Sequence, residues 1–173
     1  AARLIADTRD SLHHVDPYVD GVVEEAKKIY RVKFQDTERF LGLIWPETPG
    51  ALLLTPPDES RTLREVANRM IFTSWTFDDL CQDMGLTPDL HDPELFIKSR
   101  YLDEKFDYDK FGLLILAPPT EDEEELCPDG SFYIYDGFHR ALVLAKRLLE
   151  EEVEYEQVTG ILVVPRPLEE SFQ

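Results

Sequence analysis

The chain has 173 residues, of which 36 are acidic and 18 basic, giving a formal net charge of −18. That balance excludes a protein that grips phosphate backbones through a basic face, because lysine and arginine supply the counterion release such binding needs. It equally excludes a cationic membrane-surface helix. A hydrophobic content of 43% with 11% aromatic residues excludes disorder as the default, and the length suits one domain, or one domain with a helical extension.

In chain order, Val19, Val22, Val23, Ala26, Ile29 and Tyr30 recur at three- and four-residue steps and predict a helix, with Asp16 as N-cap and Pro17 at its first position. A second helix is expected over 37–45, stopped by Pro46, Pro49 and Gly50. Leu52, Leu53 and Leu54 read as a short strand or a turn of buried chain. Residues 62–71 have a good helical pattern, and another helix over 77–84 is closed by Gly85. A short helix or turn begins at Asp92-Pro93.

The character then changes. Residues 112–117 form a short apolar run suited to a strand buried on both faces. Residues 121–125 read as an acidic loop, and both 121–125 and 150–152 read as solvated surface. Pro128-Asp129-Gly130 is a turn signal, and 132–135 are aromatic and β-branched, hence a strand. A helix over 141–151 and a strand over 160–165 complete the pattern. The expected class is α/β (α+β), with a mainly helical region at 1–92 and a small mixed-sheet core at 93–173, packed as one compact unit.

Cys81 and Cys127 lack a CxxC spacing and read as two reduced thiols. No run approaches about 18 consecutive apolar residues and no leader pattern is read, so the expectation is a soluble, cytoplasmic protein. His13-His14 and His91, each among acidic neighbours, are weighed as metal clusters and set aside, because adjacent histidines on a helix point to different sides. Trp45, Phe72, Trp75 and Phe77 read as packing residues.

Chemistry concentrates in Tyr135-Asp136-Gly137-Phe138-His139-Arg140. A strand ends, a glycine turns the backbone, and a helix starts. Helix starts present unpaired N–H groups and a partial positive charge. Arg140 could grip a phosphate, and His139 could donate to one or move a proton. Asp136 could cap the helix, hold a metal ion or accept a hydroxyl proton. The same residues could equally form a turn with an N-cap.

The stretch 132–140 resembles the D-G-x-H-R signature of the ParB/sulfiredoxin-like superfamily, and the likeness extends over about 95–167. The resemblance implies that fold, and a nucleotide-phosphate cradle formed by Gly137, Phe138, His139 and Arg140. It implies ATP, ADP or CTP with Mg²⁺ as cofactor. Asp136 and His139 become the catalytic candidates, in a small-molecule kinase or nucleoside triphosphatase acting on a small acceptor or water. Phe138 stands where sulfiredoxins carry the reactive cysteine, so sulfinic acid repair is not expected. It also stands where free serine kinases commonly carry histidine. The acidic charge and the chain's end soon after Pro167 separate this sequence from the DNA-binding partitioning proteins. Ser99, Arg100 and Tyr101, with Glu104 and Asp107, are polar groups that could approach the site. The other reading is a non-catalytic regulatory protein that keeps the fold and binds a basic protein partner through its acidic surface.

Overall fold

The computed structural model describes residues 28–46, 60–72, 76, 78, 81, 82, 85, 87, 99, 101–128 and 130–164. Within them lies a four-stranded mixed sheet, ordered β1-β4-β2-β3, where β1 is Lys28–Lys33, β2 Leu114–Ala117, β3 Tyr133–Asp136 and β4 Thr159–Val164. β1 runs antiparallel to β4, β4 parallel to β2, and β2 antiparallel to β3. Four α-helices are described: α1 Thr37–Leu41, α2 Leu63–Phe72, α3 Glu121–Leu126 and α4 Phe138–Leu149. The expected mixed α and β content is present.

The central strand β2 has the composition its position requires. Leu114, Ile115 and Leu116 are all fully buried between two neighbouring strands. α4 covers one face of the sheet, presenting Ala141 to Ala145 as a buried run. α2 packs on α4 through Val66, Ala67 and Met70, which join the same core. Cys81 and Cys127 are buried free thiols. Trp45 is fully buried, as a packing residue should be. No described helix is long and apolar enough to cross a membrane.

Four expectations need correction. Ile29 and Tyr30, placed above on the face of a first helix, lie in strand β1, where Ile29 pairs with Val163 and Tyr30 with Leu162. The β-branched and aromatic side chains of 29–32 suit a pleated strand once β4 offers a partner, and tertiary pairing overrides the three-four spacing. The sheet therefore takes an edge strand from 28–33, well before the boundary at 92. The helix expected over 37–45 ends at Leu41, because Gly42 caps it and Ile44 turns into isolated bridges with Thr62 and Tyr133.

Residues 121–125 are helical, not a loop. The Thr120 hydroxyl accepts from the Glu123 N–H at 3.3 Å, and the Glu123 carboxylate accepts from the Thr120 N–H at 2.7 Å. That reciprocal capping box starts the helix, and four acids in its first turn suit the helix dipole. Glu123 is moreover buried against Arg61, so it is no solvated acid.

The expectations for 16–27, 52–54 and 92–96 lie outside the described residues, as do His13, His14 and His91. Of 77–84, Asp78, Cys81 and Gln82 are helical, and Gly85 closes the segment at a φ of 65°.

The long connection from α4 to β4 is pinned by tyrosines. Tyr155 donates its hydroxyl to the Phe34 carbonyl at 2.9 Å and accepts from the Val158 N–H at 3.4 Å. Burial, outweighing the Val158 N–H, raises the Tyr155 phenol above the usual tyrosine value of 10.0. A phenol raised on folding binds its proton more tightly in the native state. Its contribution is complete below pH ~10 and is lost as pH climbs through the folded value. Urea midpoints measured from pH 8 to 11 are therefore expected to fall above pH ~10 in the native protein. The fall should be shallower in Tyr155→Phe, which also loses about 1 kcal/mol at neutral pH. Parallel alkaline profiles for the two proteins would refute this role.

Candidate functional site

The strand–glycine–helix junction forms where the sequence places it. β3 ends at Asp136, Gly137 takes φ 89° in the left-handed region, and α4 begins at Phe138. His139 and Arg140 thus stand in the first turn of the helix. The pairing of β2 with β3 slips just before the junction: Leu116 faces Ile134, but Ile115 faces Asp136, leaving Tyr135 as the extra residue of a bulge. A bulge re-aims the side chains beside it, and Asp136 is the next residue of the strand.

No side chain caps α4, and no acid lies in its first turn. The positive end of the helix dipole is left without local neutralisation by acids of that turn. Asp136, the residue before the glycine, does not act as cap. Its carboxylate lies 4.0 Å from the Arg140 guanidinium, and its side chain is 37% exposed.

Arg140 is anchored inward. Its Nη1 donates to the Phe111 carbonyl and its Nη2 to the Leu113 carbonyl, the latter at 3.1 Å. The guanidinium also lies 5.9 Å from the Phe111 ring centroid. Burial lowers its pKa from the ordinary arginine value, and Asp136 acts in the opposite direction. The slot for this guanidinium exists because two glycines flank it. A Cβ on Gly112, itself at φ 71°, would stand 2.8 Å from Nη1, and one on Gly137 would stand 2.8 Å from Nη2 and 2.7 Å from a Leu114 methyl. Both glycines serve conformation and close approach at once.

His139 and Phe138 have different surroundings. The His139 Nδ1 lies 3.4 Å from the Ser99 hydroxyl, with donor and acceptor set by the tautomer. Its ring stacks at 4.4 Å on that of Phe138, which meets Trp45 edge-on at 5.3 Å. The Phe138 ring thus packs between Trp45 and His139.

Of the polar group at 99–107, the structure brings Ser99 to the junction. Asp103 holds that segment against α4, accepting from Arg147 Nε at 2.7 Å. Tyr101 instead accepts from Lys105 at 2.8 Å, and Asp107 pairs with Lys110 at 2.9 Å. Sequence reasoning missed the Phe111 and Leu113 carbonyls as partners of Arg140. The one available signal was Gly112, standing immediately before an apolar strand.

A separate cleft of about 910 Å³ opens elsewhere, lined by Val32, Lys33, Phe34, Arg39, Arg64 and Phe132 among others, and by none of 136–140. Among the described residues no group of three or more His, Cys, Asp or Glu is placed to hold a metal ion. Comparison of the chain with family models, with curated proteins and with solved structures finds no match.

Proposed function

We propose that this protein binds a nucleotide, with phosphate oxygens resting on the N–H groups at the start of α4. The observation that carries the reading is that uncapped start: a left-handed Gly137, no side-chain cap and no acid in the first turn. The likeness of 136–140 to the ParB/sulfiredoxin-like signature supports the same assignment. His139 is the side chain best placed to donate to a phosphate, and Arg140 acts from behind by fixing the loop 111–113. Asp136 offers a single carboxylate, which suits a Mg²⁺ ion held mainly by phosphate oxygens and water. With such a partner, phosphoryl transfer would rest on positioning and charge stabilisation, and Asp136 or His139 would take the acceptor's proton.

One observation favours a second reading, a non-catalytic protein in which the motif is a structural turn. The Arg140 guanidinium is engaged with two backbone carbonyls and faces Asp136. In that case recognition rests on charged surfaces, and the junction only holds β2, β3 and α4 together.

Thermal melting with millimolar ATP, ADP, CTP or GTP and Mg²⁺ separates the two. A ligand that binds only the native state at a hundred times its Kd adds about 2.7 kcal/mol, a rise of roughly 5–10 °C for a chain of this size. His139→Asp is the informative variant. A carboxylate in the first turn suits the helix dipole but repels phosphate. The nucleotide shift should vanish while the ligand-free melting point stays within a few degrees. If none of the four nucleotides moves the native protein, nucleotide binding is wrong. If one does, phosphorus NMR of the mixture distinguishes turnover from binding.

A further inference from the structure

β1 is an edge strand whose charge opposes that of the chain around it. Its sequence, Lys28-Ile29-Tyr30-Arg31-Val32-Lys33, holds three cations and no acid, in a protein of net charge −18. Lys28, Arg31 and Lys33 are exposed, and none has an ion-pair partner among the described residues. Tyr30 is 47% exposed, an unusual setting for a large aromatic side chain here.

The backbone of this edge is oriented by one hydrogen bond. Phe34, the residue after β1, donates its N–H to the Val158 carbonyl at 3.0 Å. In an antiparallel ladder the residues that face the partner strand alternate. With an unbroken register from Lys28 to Lys33, Tyr30 and Val32 therefore face β4. Ile29, Arg31 and Lys33 direct their N–H and C=O groups to the open side, where no described strand pairs with them. The cleft of about 910 Å³ continues this edge. It is lined by the consecutive residues Val32, Lys33 and Phe34. Successive side chains of a strand alternate between faces, so a cleft touching all three reaches the edge itself. Its wall includes the apolar Phe34, Leu41 and Phe132, with Arg39, Arg64, Glu38 and Glu65. Of these, Arg64 pairs with Glu38 and Arg39 with Asp36, so among the described residues the unpaired cations beside the cleft are those of β1.

We infer that β1 is a docking edge for an extended, acidic peptide segment of a partner protein, which adds a fifth strand and seats an apolar side chain in the adjoining cleft. Main-chain bonds to Ile29, Arg31 and Lys33 give affinity, and the cleft and the three cations give selectivity. A second copy of this chain is a poor occupant, because two β1 strands would set like charges against each other. Of the acids in the cleft wall, Glu38 is paired with Arg64 and Glu65 accepts from Ser60 and Thr62. Acids farther away do not forbid the encounter, since at physiological salt fields decay over about 8 Å.

The test uses fluorescence anisotropy with a labelled peptide of about eight residues, long enough to span β1, alternating Glu with Val and ending in Phe. A matched peptide has Lys in place of Glu. The acidic probe is expected to bind and the basic one not. The double variant Arg31→Glu/Lys33→Glu should weaken the acidic probe by at least about tenfold, with binding falling as salt rises. Ile29→Pro, which removes an outward N–H but no charge, should also weaken it. Hydrogen exchange should slow at the Ile29, Arg31 and Lys33 amides when the probe is bound. Urea midpoints of all variants establish that each is folded. The inference is overturned by equal binding of the two probes, by unchanged affinity in a folded Arg31→Glu/Lys33→Glu, or by unchanged exchange along β1. It is also overturned if sedimentation shows a dimer that protects those amides without any peptide.

Discussion

Replacing Glu123 with Ala is expected to cost about 3–5 kcal/mol of folding stability, the largest effect of any single substitution at a charged residue here. Glu123 and Arg61 face each other at 3.5 Å, with side chains only 9% and 3% exposed. Arg61 also reaches the Trp45 carbonyl from Nε at 3.4 Å, and its own N–H donates to the Cys127 sulfur at 3.2 Å. Removing either partner strands a charge in a dry interior, and the cost is mainly that stranding. Glu123 has a second task, closing the capping box of α3, so its loss also frays that helix. The two contributions can be separated. Thr120→Ala breaks only the cap and should cost about 1 kcal/mol. Arg61→Ala leaves the cap intact, breaks the pair and the contact to the Trp45 carbonyl, and should cost nearly as much as Glu123→Ala. The double change Arg61→Met/Glu123→Leu should recover much of the loss, because apolar side chains of similar volume need no partner. Urea denaturation of these variants, together with Arg61→Ala/Glu123→Ala, measures this. Strict additivity of the two single losses in Arg61→Ala/Glu123→Ala would show that the pair carries no coupling.

The Arg140→Ala protein should be less stable by about 2–3 kcal/mol, before any ligand is considered. The guanidinium is the shared donor to the Phe111 and Leu113 carbonyls, and it fixes the entry to β2. Alanine leaves both carbonyls without that donor and empties the slot between Gly112 and Gly137. Arg140→Lys should recover less than half of the loss, since one ammonium cannot reproduce a fork that spans two acceptors. Asp136→Asn should cost under about 1 kcal/mol, because the 4.0 Å pair is partly solvated. Equilibrium unfolding, with hydrogen exchange at the Leu114 and Ile115 amides, reads all three. Wild-type stability in Arg140→Ala would remove the clamp from the account. The expectation also bears on the functional test. Loss of nucleotide binding in Arg140→Ala would follow from a displaced loop as readily as from a lost phosphate contact, whereas His139→Asp leaves the clamp intact.

Several features of this protein were set by local sequence. β2 and β4 were legible because short apolar runs bounded by Gly, Pro or acids have few other uses. α2 and α4 were legible from their periodicity. The junction at 136–140 was legible because a glycine between a strand pattern and a helix pattern admits few geometries. Ser99 was identified as a polar residue that could approach it, and it stands beside His139.

Other features were decided only by tertiary structure. Residues 28–33 carry both a helical spacing and a strand composition, and the free edge of β4 selected the strand. The acidic run at 121–125 looked like solvated surface. It became a helix through one capping box, and one of its acids was buried because Arg61, more than sixty residues earlier, came to meet it. Arg140 belongs to the same class. Its residue type suggested a phosphate ligand, but a guanidinium satisfies whatever acceptors the fold delivers, and here the fold delivers two carbonyls of the chain entering β2. Backbone preferences are local and can be read from neighbours in sequence. The partner of a long charged side chain is fixed by which segments pack together, and that only the folded chain determines.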